Sequence, residues 1–158
     1  MFELKKLLSY DNHPNIIIYN CDNIDSILDI LSKIKCNSKI YNNINYYSNN
    51  TYSIFNSKNI NSKNISDFKI YINQIIKKSY NFTNKEYIII KNLECNSKIQ
   101  HFLFSTIERC NYKFLFFTNT NDIYHKLQSI CVNIRYKKTI DTNNILINDK
   151  IVDNYLYK

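Results

Sequence analysis

Three runs of four consecutive apolar or aromatic residues stand out in this chain, at 16–19, 87–90 and 114–117. Each run has the length of a β-strand, and an unbroken run is typical of a strand that is buried on both faces. A further short strand is predicted at 132–136. The pattern therefore predicts a sheet that is covered by other elements on both sides.

Between these runs, apolar residues recur at the three- and four-residue spacing of an amphipathic helix. Two residues are placed to cap such helices, Asp22 and Ser97. The predicted helices lie at 2–9, at 24–34, from 66 onward, at 99–107 and, as a short one, at 122–127. Alternating strands and helices predict an α/β fold with a mainly parallel sheet flanked by helices.

The segment 37–64 is rich in Asn, Ser and Tyr, a composition shared by disordered linkers. Its apolar and aromatic residues favour weak strands instead, and we expect two extended pieces at 40–47 and 51–55, separated by residues 48–50. Near the end of the chain, residues 145–157 suit either a hairpin around Asn148 and Asp149 or one short helix.

Length and composition indicate the number of domains, the kind of genome and the kind of binding partner. Its 158 residues fit one domain with a single core. The chain contains 27 Asn, 28 Ile and 19 Lys but no Ala, Gly or Trp, which indicates an AT-rich genome such as that of a virus or a parasite. The net charge of +8 favours polyanions, so nucleic acid is an expected partner, although lysine-biased codons would raise the charge in the same way.

The five cysteines form no C-x-x-C pair, and their number and spacing do not predict a disulfide framework. The three histidines lie near no close cysteine pair, so we expect no zinc site. The first residues lack a long apolar run, so neither a signal peptide nor a membrane span is predicted. We therefore expect an intracellular protein without a membrane partner.

The order of these segments resembles the ATPase domain of a replication factor C small subunit, a member of the sliding-clamp-loader AAA+ family. Residues 13–19 (HPNIIIY) stand where that family has the strand leading into the Walker A loop. Residues 86–94 (EYIIIKNLE) resemble the Walker B strand, 98–109 (KIQHFLFSTIER) the helix after it, and 113–119 (KFLFFTN) the sensor-1 strand. Residues 127–135 (LQSICVNIR) resemble the Leu-Gln-Ser-Arg-Cys box and the strand behind it.

The resemblance implies a P-loop NTPase core whose nucleotide chemistry has been lost. A phosphate-binding loop needs glycine for its close backbone approach, and this chain has none. The altered positions are Asn20, Asp25, Ser26 and Ile27 in Walker A, Lys91 and Asn92 in Walker B, and Ile130 at the arginine finger. Asn119 alone keeps a family-like side chain, at sensor 1. We therefore expect no ATP hydrolysis, no cofactor and no metal.

The resemblance covers about residues 3–138, so we expect an AAA+-like domain at 1–138 and a short extension at 139–158, without the lid and collar domains of that family. It implies a non-catalytic module in DNA replication. The implied partners are DNA and other clamp-loader subunits or the sliding clamp, in a hetero-oligomer at the site of replication. That site is the nucleus or, for a viral protein, a cytoplasmic virus factory.

In the resembled family, basic residues and helix N-termini follow the phosphate backbone of DNA. The nearest counterparts in this sequence are Lys58, Lys63, Lys69, Lys77, Lys78 and Lys98, which would otherwise form a solvated face. An aromatic platform for single-stranded nucleic acid is a further possibility, built from Tyr46, Tyr47, Tyr52 and Phe55 with Lys39 and Lys58, but positions in the core or on the sheet surface are favoured for these aromatics.

Two other functions stay open from the sequence. One is a clamp-loader subunit that still binds ATP structurally. The other is a repurposed protein-interaction module that uses the Tyr-rich region 40–55.

Overall fold

The computed structural model describes residues 4, 7–8, 13–21, 24–31, 36–78, 87–110, 112–136 and 150–152. The strands in this part of the chain are β1 (Ile16–Tyr19), β2 (Asn37–Tyr41), β3 (Ile44–Ser48), β4 (Tyr52–Asn56), β5 (Tyr87–Lys91), β6 (Lys113–Thr118), β7 (Val132–Tyr136) and β8 (Lys150–Val152). The helices are α1 (Ile24–Leu31), α2 (Ile65–Lys78), α3 (Ser97–Ile107) and α4 (His125–Ser129). Leu4, Leu7 and Leu8, inside the predicted helix 2–9, are helical.

The described strands form one sheet in the order β2-β3-β4-β5-β6-β1-β7-β8. The five strands from β4 to β7 in that order, including β1, run parallel to one another. Strands β2 and β3 form an antiparallel hairpin beside β4, and β8 pairs antiparallel with β7. The predicted α/β fold with a mainly parallel sheet flanked by helices is thus confirmed.

Both faces of the parallel strands are covered, which explains the unbroken apolar runs. In β1, Ile17 and Tyr19 join a core cluster with residues of α2, α3 and α4. Ile16 and Ile18 point to the opposite face and join a cluster with α1 and the N-terminal leucines. Every residue of β1 is buried, and burying an isoleucine side chain contributes about 1.5–3 kcal/mol relative to exposing it.

The helices bury the faces that the spacing predicts. Phe68 and Ile72 of α2 and Leu103 of α3 are completely buried. The predicted cap at Ser97 is wrong by one residue, because the side chain of Asn96 accepts a hydrogen bond from the Ile99 amide at 3.2 Å and Ser97 is the first helical residue. The other predicted cap, Asp22, lies outside the described residues, and the short helix predicted at 122–127 begins later, at His125.

The predicted single strand at 40–47 is wrong, since a two-residue turn at Asn42 and Asn43 divides it into β2 and β3. Asn42 has a φ of 51°, a left-handed conformation that asparagine adopts more readily than most residues. The second predicted piece, 51–55, corresponds to β4. In the tail, Lys150–Val152 are extended, while the rest of 139–158 lies outside the described residues.

Candidate functional site

The parallel strands all end at one edge of the sheet, which we call the carboxyl edge. After β1 the chain passes through α1, on one face of the sheet, before it reaches β4. After β6 it passes through α4, on the opposite face, and then forms β7, which lies on the other side of β1 from β6. Open α/β sheets bind ligands outside the carboxyl ends of their strands where the connections diverge in this way. The carboxyl edge around β1 is therefore the place to look for a ligand site.

Asn20, the first residue after β1, is exposed and has a φ of 56°. Its amide N–H donates to the Thr118 carbonyl at 2.9 Å, which holds the turn against the end of β6. Asparagine thus supplies one positive φ where a phosphate-binding loop has glycine. Residues 22 and 23, which complete this turn, lie outside the described residues.

The remaining Walker A counterparts lie in the first turn of α1. Asp25 is exposed and places a carboxylate at the helix start. Ser26 is helical, and its side chain lies outside the described part of the structure. Ile27, which the sequence resemblance would align with the Mg²⁺-binding hydroxyl, is completely buried in the cluster under α1. This position is thus part of the core and carries no metal ligand.

The Walker B counterparts end β5 with an ammonium and an amide. Lys91 is half-buried, and Asn92 has a φ of 53°. The Asn92 side-chain amide donates to Asn56 Oδ1 at 2.9 Å, and the same Asn56 oxygen accepts from the Lys58 amide at 3.1 Å. The Asn92 side chain thus links the end of β5 to the end of β4.

The remaining positions of the resembled nucleotide site differ in exposure. Asn119 follows β6 and is exposed, while the Thr118 side chain beside it is buried and donates to the Thr120 carbonyl at 3.0 Å. Ile130, at the arginine-finger position, packs partly buried against the core. The carboxyl edge therefore carries Asn20, Asn92 and Asn119. In the described segment 127–135 the only arginine is Arg135, near the end of β7.

Arg135 lies over the ring of Tyr19, with its guanidinium carbon 4.8 Å from the ring centroid. The Tyr19 hydroxyl donates to Asn133 Oδ1 at 3.1 Å. Burial raises the pKa of Tyr19, and the charge of Arg135 partly opposes that rise. This contact fixes the neighbouring ends of β1 and β7 to each other.

Three of the six lysines predicted to meet DNA lie at the carboxyl edge, and we call Lys58, Lys63 and Lys98 the carboxyl-edge lysines. All three are exposed. Lys58 lies in a 3₁₀ turn after β4, Lys63 in the turn before α2 and Lys98 in the first turn of α3. The helix N-termini beside them carry partial positive charge, so backbone and side chains favour the same anionic ligand.

Asparagine side chains hold the segments that carry or directly precede these lysines. Asn96 donates to the Ile60 carbonyl at 2.8 Å, and Asn64 donates to the Asn59 carbonyl at 3.1 Å. Together with the bond between Asn92 and Asn56, these contacts tie the loop after β4 to the loop after β5. These hydrogen bonds were not predicted, because each bond joins residues far apart in sequence or lies in a segment without periodicity.

The other three lysines do not join this group. Lys69 is half-buried, and its ammonium lies 5.6 Å from the centroid of the Phe102 ring. Lys77 and Lys78 are the last residues of α2, about 18 Å of helix beyond its start and therefore at the opposite edge of the sheet. Lys77 is exposed, whereas the Lys78 side chain lies outside the described residues. The single basic face expected from sequence is thus divided.

The aromatic platform does not form, as three of its members are core residues. Tyr46, Tyr52 and Phe55 are buried, and the Tyr46 and Phe55 rings stack at 5.3 Å. Only Tyr47 is exposed, at 54%. The interpretation of these aromatics as core or sheet-surface residues is confirmed, with Tyr47 on the sheet surface.

The five cysteines, all of them among the described residues, form no disulfide bond, and burial raises the pKa of the Cys131 thiol to about 12. No group of three His, Cys, Asp or Glu side chains among the described residues is placed to hold a metal ion. None of the described helices is long and apolar enough to cross a membrane.

No protein-family model matches this sequence, and no curated protein sequence matches it either.

Proposed function

We propose that this chain is a non-catalytic, clamp-loader-like module of DNA replication, with a P-loop-type core, that binds DNA through the carboxyl-edge lysines. The observation that carries the proposal is the exposed position of Lys58 and Lys63 in the segment after β4 and of Lys98 at the start of α3, because asparagine side chains tie the two segments together. Intact neighbouring subunits would supply the ATP cycle in a hetero-oligomer.

The strand arrangement supports the resemblance on which this proposal rests. For one nucleotide to meet a Walker A turn, a Walker B strand and a sensor-1 residue, the three strands must end side by side at one edge. Their counterparts β1, β6 and β5 are consecutive in the sheet and parallel. The segment order read from the sequence thus agrees with a geometry that a nucleotide site would require.

The side chains at that edge support the loss of nucleotide chemistry. Asp25 would repel a triphosphate at the start of α1, and Ile27 is buried where a hydroxyl would meet Mg²⁺. Lys91 and Asn92 replace two carboxylates, so a metal ion would have no carboxylate ligand there and the attacking water would have no base to activate it. DNA binding needs none of these groups, because phosphates are held by charge and position.

The proposal is tested by measuring DNA affinity against salt concentration. We expect the Lys58→Gln/Lys63→Gln/Lys98→Gln variant to bind more weakly, and the slope of log K against log [salt] to fall by about two for single-stranded and about three for duplex DNA. The matched control is Lys77→Gln/Lys78→Gln/Lys113→Gln, which removes the same charge at the opposite edge of the sheet. We expect the control to keep the wild-type slope.

Addition of ATP and Mg²⁺ separates this proposal from a subunit that still holds nucleotide. We expect the DNA affinity and the melting temperature to stay the same with and without Mg²⁺·ATP. Equal losses of affinity in both triple variants would show that only net charge matters and would refute the assignment of the carboxyl-edge lysines.

A further inference from the structure

Strand β2 forms one end of the sheet, and its outer edge pairs with no strand among the described residues. Residues 37–40 are all exposed, and Ile40 is 72% exposed. An open strand edge presents unpaired N–H and C=O groups that another strand can bind, and folded proteins usually shield or charge such edges. The β2 edge is shielded by neither a helix nor a loop of the described chain.

The hairpin turn determines which backbone groups face outward. Because the turn contains only Asn42 and Asn43, Tyr41 and Ile44 form the hydrogen-bonded pair that closes it. Pairs alternate along an antiparallel ladder, so Lys39 also bonds inward, to Tyr46. Ser38 and Ile40 are therefore left with N–H and C=O groups that point away from the sheet.

The two faces of this edge differ in chemistry. Ile40 and the exposed Tyr47 lie on one face, together with the polar side chains of Ser38 and Asn45. Lys39 and Tyr41 lie on the other face, where the Tyr41 ring packs 4.3 Å from the ring of Tyr71. Asp67 lies beside the turn on this second face, since the Asn42 side chain donates to Asp67 Oδ1 at 3.1 Å.

The outer edge of β2 is complementary to the same edge of a second copy when the two strands run antiparallel with Ile40 opposite Ile40. A two-fold axis at Ile40 places the Ile40 side chains of two copies opposite each other, so that the two apolar side chains contact. On the other face it places Lys39 of each copy opposite Tyr41 of its neighbour, with Asp67 beside that tyrosine. The register centred on Lys39 would instead put two ammonium groups directly opposite each other, which is destabilising.

We propose that the outer edge of β2 pairs with β2 of a second copy of this chain, antiparallel and with the two-fold axis at Ile40. The pairing would extend the eight described strands into one continuous sheet across the dimer. An interface of one short strand per copy is smaller than the roughly 1,600 Å² of a standard stable complex, so we expect a dissociation constant in the micromolar range. The inference is independent of DNA binding.

Sedimentation equilibrium across a range of protein concentrations tests the dimer. We expect the wild type to approach twice the 19.0 kDa mass of the chain as concentration rises through the micromolar range. Ile40→Lys puts like charges on the axis and should abolish this association, while Ile70→Lys changes an exposed isoleucine of α2 and should leave it unchanged. A wild type that stays monomeric, or equal loss in both variants, would overturn the proposal.

Cysteine cross-linking tests the register, in a Cys95→Ser background that removes the exposed thiol. We expect Ile40→Cys to form a disulfide-linked dimer on mild oxidation, because the two side chains are opposite each other. Ser38→Cys lies opposite residue 42 and should cross-link no more than the background protein. Equal cross-linking at 38 and 40 would overturn the register.

A charge exchange gives an independent readout of the same register. Lys39→Glu alone and Asp67→Lys alone each place like charges together, and each should weaken dimerisation at least several-fold. The double variant restores opposite charges and should recover most of the lost affinity. Additive weakening in the double variant would contradict the pairing of Lys39 with the neighbouring Asp67.

Discussion

Replacing Ile27 by threonine tests whether the Walker A-like position has become part of the core. In the resembled family a hydroxyl at this position binds Mg²⁺, whereas Ile27 is completely buried among apolar side chains beneath α1. Valine is the appropriate control, because it has the shape of threonine without the hydroxyl. The difference between the two variants isolates the cost of placing one polar group at this position.

The expected magnitudes follow from the burial of Ile27. Ile27→Val removes one methylene from a filled site and should cost about 0.5–1.5 kcal/mol. Ile27→Thr removes the same volume and also buries a hydroxyl, which adds about 1–3 kcal/mol when no partner is available. The total for threonine is therefore about 2–4 kcal/mol, with part of the hydroxyl cost relieved if it bonds to the preceding turn of α1.

Urea unfolding followed by circular dichroism gives both values. The corresponding fall in melting temperature for a chain of this size is about 5–15 °C for Ile27→Thr. We expect Mg²⁺·ATP to stabilise neither variant. Equal stability of Ile27→Thr and Ile27→Val, or recovery of the threonine variant by Mg²⁺·ATP, would refute the assignment of this position to the core.

Three further predictions follow from individual side chains. Asn92→Ala should lose about 2–3 kcal/mol, from the left-handed conformation and the lost bond to Asn56, whereas Asn92→Gly should lose only about 1 kcal/mol; urea unfolding distinguishes them. Thiol labelling at pH 8 followed by mass spectrometry should modify the exposed Cys95 well before Cys131, and equal rates would contradict the burial of Cys131. Burial raises the pKa of Cys131 to about 12, so the folded state keeps a proton that the unfolded chain releases above about pH 8.5. The free energy of unfolding should therefore fall between pH 9 and 12, by at most about 1.4 kcal/mol per pH unit for this thiol. Cys131→Ala should make this pH dependence less steep.

The parallel strands were predictable because a strand that is buried on both faces appears in the sequence as an unbroken run of apolar residues. The runs at 16–19, 87–90 and 114–117 all became central strands, and their helices followed from three- and four-residue spacing. The hairpin turn at Asn42 and Asn43 was missed for a compositional reason. In a chain with 27 asparagines, two adjacent ones do not stand out as a turn signal.

The site was less predictable, because it depends on contacts between distant segments. Helical spacing shows which side of α2 a lysine occupies, but not which edge of the sheet it reaches, so Lys63 and Lys77 were grouped together. The bond between Asn56 and Asn92 joins residues 36 positions apart and has no local pattern. The cap of α3 is Asn96 and not the predicted Ser97. The sequence could not distinguish the two positions, because both residue types suit an N-cap and only the backbone conformation shows where the helix begins.

The most direct test of the central proposal is an NMR titration of the ¹⁵N-labelled chain, first with a short single-stranded DNA and then with Mg²⁺·ATP. We predict that DNA shifts the amide signals around Lys58 and Lys63 and in the first turn of α3 around Lys98, and that Mg²⁺·ATP shifts no signal in the turn after β1. Shifts confined to the opposite edge of the sheet, or a Mg²⁺·ATP response at Asn20 and Asp25, would contradict the proposal of a non-catalytic DNA-binding module.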